Sequence, residues 1–343
     1  MCHSHRAGSA GHHQHLPGYQ ANQYQLKYVF LGISLLLAGC SLNPSVQLTA
    51  EFLQQIPSRI EITDTPFIQQ ADYQCGPASL AMVLNHQGYA TTPEALANQV
   101  FTPKAQGSFP VEMDITVRRQ GFISYPVKNL HDLLREVAAG NPVLVLQNLG
   151  ISWYPKWHFA VVIGYDLERR ELVLRSGDLP RRITPMSVFD RTWERSDRWG
   201  RVVLPGSKLP ATAQTLDYLE VVSALEQSGH LQQAITAYRS ALSAWPDADI
   251  VRFGLANSLL ADRQIDPAIT QYQALLQQAP EFVAAWNNFA YALKAAGCNN
   301  QALTASQCAI SLAPNDPNLQ DTFKEISLLP QQSHPACPSI QCP

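Results

Sequence analysis

The sequence predicts an α+β domain followed by an all-α helical solenoid. Between residues 66 and 206, strand-like apolar runs alternate with helical patterns. Between residues 214 and 316, alanine and proline recur every 34 residues, a spacing typical of stacked helical repeats. A chain of 343 residues that is 46% hydrophobic can bury two cores, since one domain usually takes about 100–200 residues.

Charge and cysteine content narrow the function. A net charge of -3 and a pI near 6.4 leave no basic field of the kind that nucleic-acid binding needs. The seven cysteines are too few and too scattered for a disulfide scaffold, and none has the short paired spacing of a structural zinc site. We therefore expect no nucleic-acid partner, no metal and no cofactor.

The first 39 residues have the pattern of an export signal. An apolar stretch at residues 28–38 follows Lys27 and is shorter than the roughly 20 residues that a membrane-spanning helix needs. It ends in Leu-Ala-Gly-Cys, which resembles the bacterial lipobox. That resemblance implies that Cys40 is acylated and becomes the N terminus, and Ser41 after it argues for sorting to the outer membrane.

The chain is thus expected to be lipid-anchored to the membrane at Cys40, on the periplasmic face of the outer membrane. The alternative is an ordinary signal peptide that ends beside an incidental cysteine. Residues 40–65 are predicted to form a linker to the first domain.

The pattern of residues 66–206 predicts an α+β fold with an antiparallel sheet in its later part. Helices are expected near residues 93–99, 111–119 and 130–138, and strands at 122–127, 142–147, 158–165, 171–175 and 201–204. The charged stretch 190–201 is interpreted as a solvated helix face.

Cys75 is the candidate nucleophile of this domain. Cys75 and Pro77 open an apolar helical run that Gly88 ends, so the thiol lies at a helix N-terminus. The unpaired N–H groups and the positive dipole end there stabilise a thiolate, which is the nucleophilic form of cysteine.

His158 is the candidate general base. It starts an apolar strand directly after a loop, so its ring can project at the end of a sheet. His86 lies eleven residues beyond Cys75 in the same helix, about 16 Å away at the helical rise, and His131 on a predicted helix lacks a comparable setting. Trp153, Tyr154 and Trp157 before His158 either line a cleft or pack the loop.

The runs Asp-Tyr-Gln-Cys-Gly-Pro-Ala and His-Phe-Ala-Val-Val-Ile-Gly-Tyr resemble the papain-like cysteine peptidases of the bacteriocin-processing, double-glycine leader family. The resemblance covers roughly residues 66–180 and implies a papain-like fold. It also implies Cys75 as nucleophile, His158 as general base and a glutamine in the oxyanion hole. Gln69 and Gln70 both stand at about the expected distance before Cys75, and the choice between them stays open.

The third catalytic position departs from that family. The family has an aspartate at the end of the strand after the histidine strand, where this chain has Ser176, with Asp178 two residues on. A serine can orient an imidazole but cannot stabilise an imidazolium by charge. We therefore expect a cysteine peptidase acting on a peptide or protein substrate, and keep a catalytically inactive binding protein as the alternative.

The C-terminal part resembles the tetratricopeptide repeat, with three units over residues 214–316. The period is carried by small residues at helix contacts and by helix-ending prolines: Ala234, Ala268 and Ala302, and Pro246, Pro280 and Pro314. The resemblance implies that the repeats bind a protein partner or the substrate, and a plain helical spacer is the alternative.

The remaining segments are predicted to be irregular. Residues 317–343 form a proline-rich tail, and the stretch around 205–213 looks like a flexible linker that permits independent domain motion. Cys298 is a candidate to pair with Cys308, and Cys337 with Cys342, in an oxidising compartment.

Overall fold

A computed structural model describes residues 48–70, 74–102, 107–151, 153–331 and 335–343. The predicted export signal over residues 1–39 and the acylation site at Cys40 lie outside this part of the chain. Within the described residues, no helix is both long enough and apolar enough to cross a bilayer.

The first domain is built on a seven-stranded antiparallel sheet. Its strands are β1 (Arg59–Glu61), β4 (Phe122–Pro126), β5 (Val143–Asn148), β6 (Trp157–Asp166), β7 (Glu171–Ser176), β8 (Leu179–Pro185) and β9 (Gly200–Pro205). Six of them pair in the order β4-β9-β5-β6-β7-β8, and β1 pairs with the C-terminal end of β6. A separate two-stranded ribbon consists of β2 (Phe101–Thr102) and β3 (Gly107–Ser108).

Helices cover the sheet and complete this domain. They are α1 (Ala50–Leu53), α2 (Cys75–His86), α3 (Pro93–Val100), α4 (Pro110–Arg119), α5 (Leu130–Ala138) and α6 (Met186–Glu194). The α+β class is confirmed, and the helices and strands predicted between residues 75 and 205 are present with ends that differ by about one residue.

Four strands were not predicted: β1 and β8 of the large sheet, and the two short strands β2 and β3 of the ribbon. β1 lies within the expected linker 40–65, so the domain extends further toward the N terminus than predicted. β8 is an edge strand with two prolines and mostly exposed side chains, and a strand with one free edge tolerates both features. A short segment with no apolar alternation gives no strand pattern in the sequence.

The prediction for the charged stretch 190–201 was wrong. Helix α6 ends at Glu194, and β9 begins at Gly200. Trp193 is fully buried, and Asp190 is nearly buried in an ion pair with Arg198 at 3.0 Å. This stretch therefore contributes to the core because α6 packs against β5, β7 and β8.

The C-terminal part is a stack of paired helices, as the repeat pattern predicts. The helices are α7 (Thr215–Gln227), α8 (Leu231–Ala244), α9 (Asp249–Ala261), α10 (Ile265–Gln278), α11 (Val283–Ala295), α12 (Asn299–Leu312) and α13 (Pro317–Ser327). The periodic alanines Ala234, Ala268 and Ala302 are fully buried. Each lies in the second helix of its unit, where a larger side chain would push the helices apart.

The tail differs from its prediction. Residues 317–327 form helix α13, which packs on α12 and covers the last repeat. The cysteines pair as Cys298–Cys337 and Cys308–Cys342, so the expected pairs Cys298–Cys308 and Cys337–Cys342 were wrong. Both bonds connect α12 or its N-terminal cap to residues near the C terminus, which holds the tail along this helix.

The segment between the two domains is held in place, contrary to the expected flexible linker. Glu136 of α5 is fully buried, and its carboxylate accepts hydrogen bonds from the backbone N–H groups of Ala211 and Thr212 and from the Thr212 hydroxyl. Asn141 donates a further hydrogen bond at 2.7 Å. Three of these four hydrogen bonds come from the connecting segment, and they bind it tightly because each is charge-assisted.

Tyr125 of β4 makes a second contact with this segment. Its hydroxyl donates to the carbonyl of Thr212 and accepts from the N–H of Gln214 at 3.0 Å. Burial raises the pKa of Tyr125, and the carboxylate of Asp217 acts in the same direction. The hydroxyl therefore stays protonated, so it can donate one hydrogen bond and accept the other. The Tyr125 ring also lies 6.4 Å from that of Tyr218 in α7.

We predict that Glu136→Gln weakens the joint between the domains. The substitution keeps the side-chain shape but replaces one acceptor oxygen by an NH₂ group that faces N–H donors. The free energy of unfolding should fall by about 2–3 kcal/mol, measured by urea denaturation, and protease should cut residues 206–213 faster. Glu220→Gln, at an exposed position in α7, is the matched control. Equal cleavage rates in both variants would contradict the proposed role of Glu136.

Candidate active site

Cys75 is the first residue of α2, and its side chain is 6% exposed. Ten successive residues of this helix, from Cys75 to Leu84, are buried, so α2 is a central helix surrounded by the domain. The sequence therefore shows no amphipathic stripe here, although the start of the helix was correctly predicted from Cys75 and Pro77.

Gly76 allows the N-terminal end of α2 to approach its neighbours closely. A Cβ atom at this position would overlap the Ser108 hydroxyl in β3 and would lie 3.6 Å from the ring of Phe159 in β6. Any larger residue would push the helix end away from both strands. The Cys75–Gly76 end of α2 thus lies against the residue that follows His158.

His158 lies at the start of β6, 8% exposed, opposite Gln147 of β5. Its Nε2 atom is 2.9 Å from the Oγ atom of Ser176, the last residue of β7. Ser176 is itself only 3% exposed, so this hydrogen bond is shielded from water and holds the imidazole plane. With Nε2 engaged, Nδ1 is the ring nitrogen available for acid–base chemistry.

The structure brings Ser176 to the histidine rather than Asp178. Asp178 is exposed in the turn between β7 and β8, and its side chain makes no hydrogen bond to His158. The turn places Gly177 at a φ of 64°, a conformation that glycine adopts without strain. The electrostatic support that a carboxylate would give to an imidazolium is therefore missing from this position.

The two candidate glutamines differ in their surroundings. Gln69 is exposed, whereas Gln70 is partly buried and connects three elements. Its Nε2 atom donates to the Ser79 hydroxyl at 3.0 Å and to the carbonyl of Phe159 at 3.3 Å, and its Oε1 atom accepts from the N–H of Gly177 at 3.0 Å. Both amide hydrogens of Gln70 are thus used within the protein, beside the residues that follow His158 and Ser176.

Arg175 is a neighbour of the site that the sequence analysis did not identify. Its guanidinium donates to the carbonyl of Thr65 at 2.8 Å and to that of Pro180. Burial lowers the pKa of Arg175 from its ordinary value, and the carboxylate of Glu61 acts in the opposite direction. Arg175 thereby fixes the turn after Ser176 to the segment that leads to Gln70.

The other histidines of the domain have structural settings. His86 at the end of α2 contacts the Thr65 hydroxyl at 3.3 Å and the carbonyl of Gly140 at 3.2 Å. His131 packs edge-on against Phe52, with ring centroids 4.5 Å apart. Among the described residues, no group of three or more His, Cys, Asp and Glu side chains is arranged to hold a metal ion.

The first domain has a buried cysteine at a helix N-terminus and a histidine at the start of an antiparallel strand, and a helical repeat follows it. These features define the class: a repeat-containing protein with a cysteine-peptidase-like domain. Residues 62–198 match the model of the Peptidase C39 like family, and residues 225–290 match a tetratricopeptide repeat model. The chain therefore consists of a peptidase C39-like domain followed by tetratricopeptide repeats.

Some solved structures are similar to the first domain of this chain, and others are similar to its repeats. A C39-like peptidase from Bacillus anthracis is 18% identical with a TM-score of 0.38, covering 43% of this chain and 97% of that one. The peptidase domain of Streptococcus ComA, a bifunctional ABC transporter of a quorum sensing pathway, is 22% identical with a TM-score of 0.33, covering 41% and 98%.

Among repeat proteins, the second tetratricopeptide domain of human RPAP3, in complex with an HSP70 peptide, is 14% identical. Its TM-score is 0.31, and the match covers 32% of this chain and 92% of that one. Among curated proteins, no sequence matches the chain.

We predict different effects for the two glutamines. Gln70→Ala removes three hydrogen bonds and leaves buried groups unpaired, so the free energy of unfolding should fall by about 2–3 kcal/mol. Gln69→Ala changes an exposed side chain and should alter stability by less than about 0.5 kcal/mol. Urea denaturation of both variants measures the difference. Unchanged stability in Gln70→Ala would show that its amide does not hold the strands together.

Proposed function

We propose that the chain is an envelope-anchored cysteine peptidase that cleaves a peptide or isopeptide bond through a covalent acyl-enzyme. The observation that carries the proposal is the buried His158–Ser176 hydrogen bond, which orients an imidazole beside the strand residue that the Cys75 helix contacts. A nucleophile, a base and an orienting group are the minimum for this chemistry.

In the first step of the proposed reaction, the Cys75 thiolate attacks the substrate carbonyl carbon. The tautomer that donates its Nε2–H to Ser176 Oγ leaves the lone pair on Nδ1, so Nδ1 takes the thiol proton and then delivers it to the leaving amine. The carbonyl π bond opens to an oxyanion and re-forms as the C–N bond breaks, which leaves a thioester on Cys75.

In the second step, water attacks the thioester. His158 Nδ1 takes a proton from that water and returns it to the departing sulfur, which restores the enzyme and releases a carboxylic acid. The positive dipole end of α2, at which Cys75 lies, would stabilise both oxyanions. An amine in place of water would give a transferase from the same residues.

The repeats are proposed to recruit the substrate or a partner protein. Stacked tetratricopeptide units form a continuous concave surface suited to an extended peptide. The connecting segment is bound to Glu136 and Tyr125, so a peptide on that surface would be presented to the peptidase domain at a defined orientation.

Location in the cell envelope, with a lipid anchor at Cys40, is part of the proposal. The two disulfides of the C-terminal part support it, because disulfides persist in oxidising compartments such as the bacterial periplasm. The apolar stretch that ends in Leu-Ala-Gly-Cys is the sequence feature behind it.

A second candidate function is a binding protein whose peptidase-like domain has lost catalysis. Two observations favour it: His158 contacts a hydroxyl instead of a carboxylate, and the Gln70 amide is occupied by Ser79 and Phe159. A domain of this kind would still bind a peptide, but it would lack the negative charge that stabilises an imidazolium during catalysis.

The experiment that separates the two functions is alkylation of Cys75 by iodoacetamide across pH, with mass spectrometry to locate the modified cysteine. A peptidase should react with a midpoint well below the pH of about 8.5 at which an ordinary thiol ionises. His158→Ala should shift that midpoint toward the ordinary value, because the thiolate loses its imidazolium partner. His131→Ala, in the same domain, is the matched control.

Two results would overturn the peptidase proposal in favour of the binding protein. One is a parent Cys75 that reacts like an ordinary thiol or remains unmodified in the folded chain. The other is an alkylation profile that His158→Ala leaves unchanged.

We also predict that the envelope form of the protein begins at Cys40 and carries diacylglycerol on that residue. Mass spectrometry of the N-terminal peptide from a bacterial membrane fraction measures this directly. Cys40→Ser should abolish acylation, whereas Cys2→Ser should leave it unchanged because residue 2 is removed with the signal. An unmodified N terminus at another residue would show that the export signal is not a lipobox.

A further inference from the structure

The loop between β5 and β6 presents a dense group of exposed apolar side chains. Trp153 is 83% exposed and Tyr154 57%, and the large side chains on either side of them are also exposed. We call residues 149–157, without residue 152, the aromatic loop. Its exposed members are Leu149, Ile151, Trp153, Tyr154 and Trp157. Exposed apolar clusters of this kind mark sites of interaction with another molecule.

The aromatic loop is held by hydrogen bonds at its base. The Oδ1 atom of Asn148 accepts from the N–H groups of Gly150 and Lys156, each at 2.9 Å, and the N–H of Leu149 donates to the carbonyl of Lys156. Arg195 donates to the carbonyl of Gly150 from the other side. The backbone of residues 148–150 and of Lys156, at the base of the loop, is therefore held in place.

Gly150 permits this tight turn. A Cβ atom there would overlap the carbonyl oxygen of Tyr154 and would lie 2.9 Å from the N–H nitrogen of Lys156. Ile151 and Tyr154 also exchange backbone hydrogen bonds at 3.2 and 3.0 Å. An apolar tip displayed by such a turn loses little conformational entropy when it binds.

The chemistry of the loop favours a lipid surface as its partner. Tryptophan and tyrosine are enriched at the boundary between headgroups and acyl chains, where the ring is buried and the polar atom stays hydrated. Lys156 and Arg195 supply positive charge at the base of the loop, and residues 148–158 contain no acidic side chain. Anionic headgroups attract such cations near the membrane surface.

The proposed anchor keeps a bilayer within reach, and this step rests on the proposed function. Only residues 41–47 separate Cys40 from the first described residue, Leu48. Eight residue steps span at most about 28 Å when fully extended, which is less than the diameter of a small domain. A domain on so short a tether stays against the membrane.

We infer that the aromatic loop is a membrane-docking element that inserts into the headgroup region of an anionic phospholipid bilayer. Trp157 adjoins His158, so docking would bring the start of β6 close to the bilayer surface. The peptidase would then act on polypeptides at the membrane, and the loop would hold its domain against the bilayer in addition to the lipid anchor.

The test uses the unlipidated chain that begins at Ser41, which retains every described residue. It is co-sedimented with vesicles of phosphatidylethanolamine and phosphatidylglycerol. We expect binding to the vesicles to fall about tenfold or more in the double variant Trp153→Ser, Tyr154→Ser. The variant lacks the two large aromatic side chains that would be transferred from water into the bilayer. Leu216→Ser with Leu328→Ser, two equally exposed positions outside the loop, should bind like the parent. Circular dichroism checks that each variant is folded.

A parent chain that stays in the supernatant would overturn the inference, and so would a loop variant that binds vesicles as the parent does. A loop variant that keeps vesicle binding but alters the alkylation of Cys75 in solution would assign the loop to substrate contact instead. Cys75→Ala should bind vesicles normally, which separates failure of this inference from failure of the peptidase proposal. The test chain lacks Cys40, so its result does not depend on whether the proposed lipid anchor exists.

Discussion

The candidate site depends on the contact between the start of helix α2 and strand β6. The helix is buried along most of its length, and the absence of a side chain on Gly76 lets its N-terminal end reach Phe159 and Ser108. Because His158 precedes Phe159 in the strand, this packing contact places the helix end that bears Cys75 near the backbone at the start of the strand that bears His158. The rest of the domain serves to hold these two ends together.

The support around His158 is built from hydroxyl, amide and guanidinium groups instead of a carboxylate. Ser176 orients the ring, Gln70 joins the helix, strand and turn, and Arg175 fixes the same turn from the other side. Such a network determines orientation without adding negative charge. A site of this kind can position an imidazole well while stabilising its protonated form less than an aspartate would.

The domains are coupled by a buried carboxylate at the end of one helix. Glu136 accepts hydrogen bonds from the connecting segment, and the neighbouring Tyr125 contacts both Thr212 and Gln214. At the opposite end of the chain, two disulfides hold the tail against α12. The repeats are thus constrained at both ends: by the bound connecting segment at their start and by the two disulfides at their end.

The sequence alone determined the two architectures, the helix that starts at Cys75, the strand that contains His158 and the 34-residue repeat. These features are local: apolar periodicity, a proline at the first turn of a helix and alanines at helix contacts leave their pattern in neighbouring residues. The sequence also located Ser176 at the expected strand end, because alternation along a strand sets the register of a single residue.

Only the tertiary structure decided which side chains meet. The hydrogen bonds of the Gln70 amide to Phe159 and Gly177, the linker bound at Glu136 and the pairing of Cys298 with Cys337 each join residues far apart in the chain. No local pattern encodes such contacts, since they depend on how complete elements pack. Edge strands β1 and β8 were missed for the same reason: their hydrogen bonds to neighbouring strands, and not their own composition, make them strands.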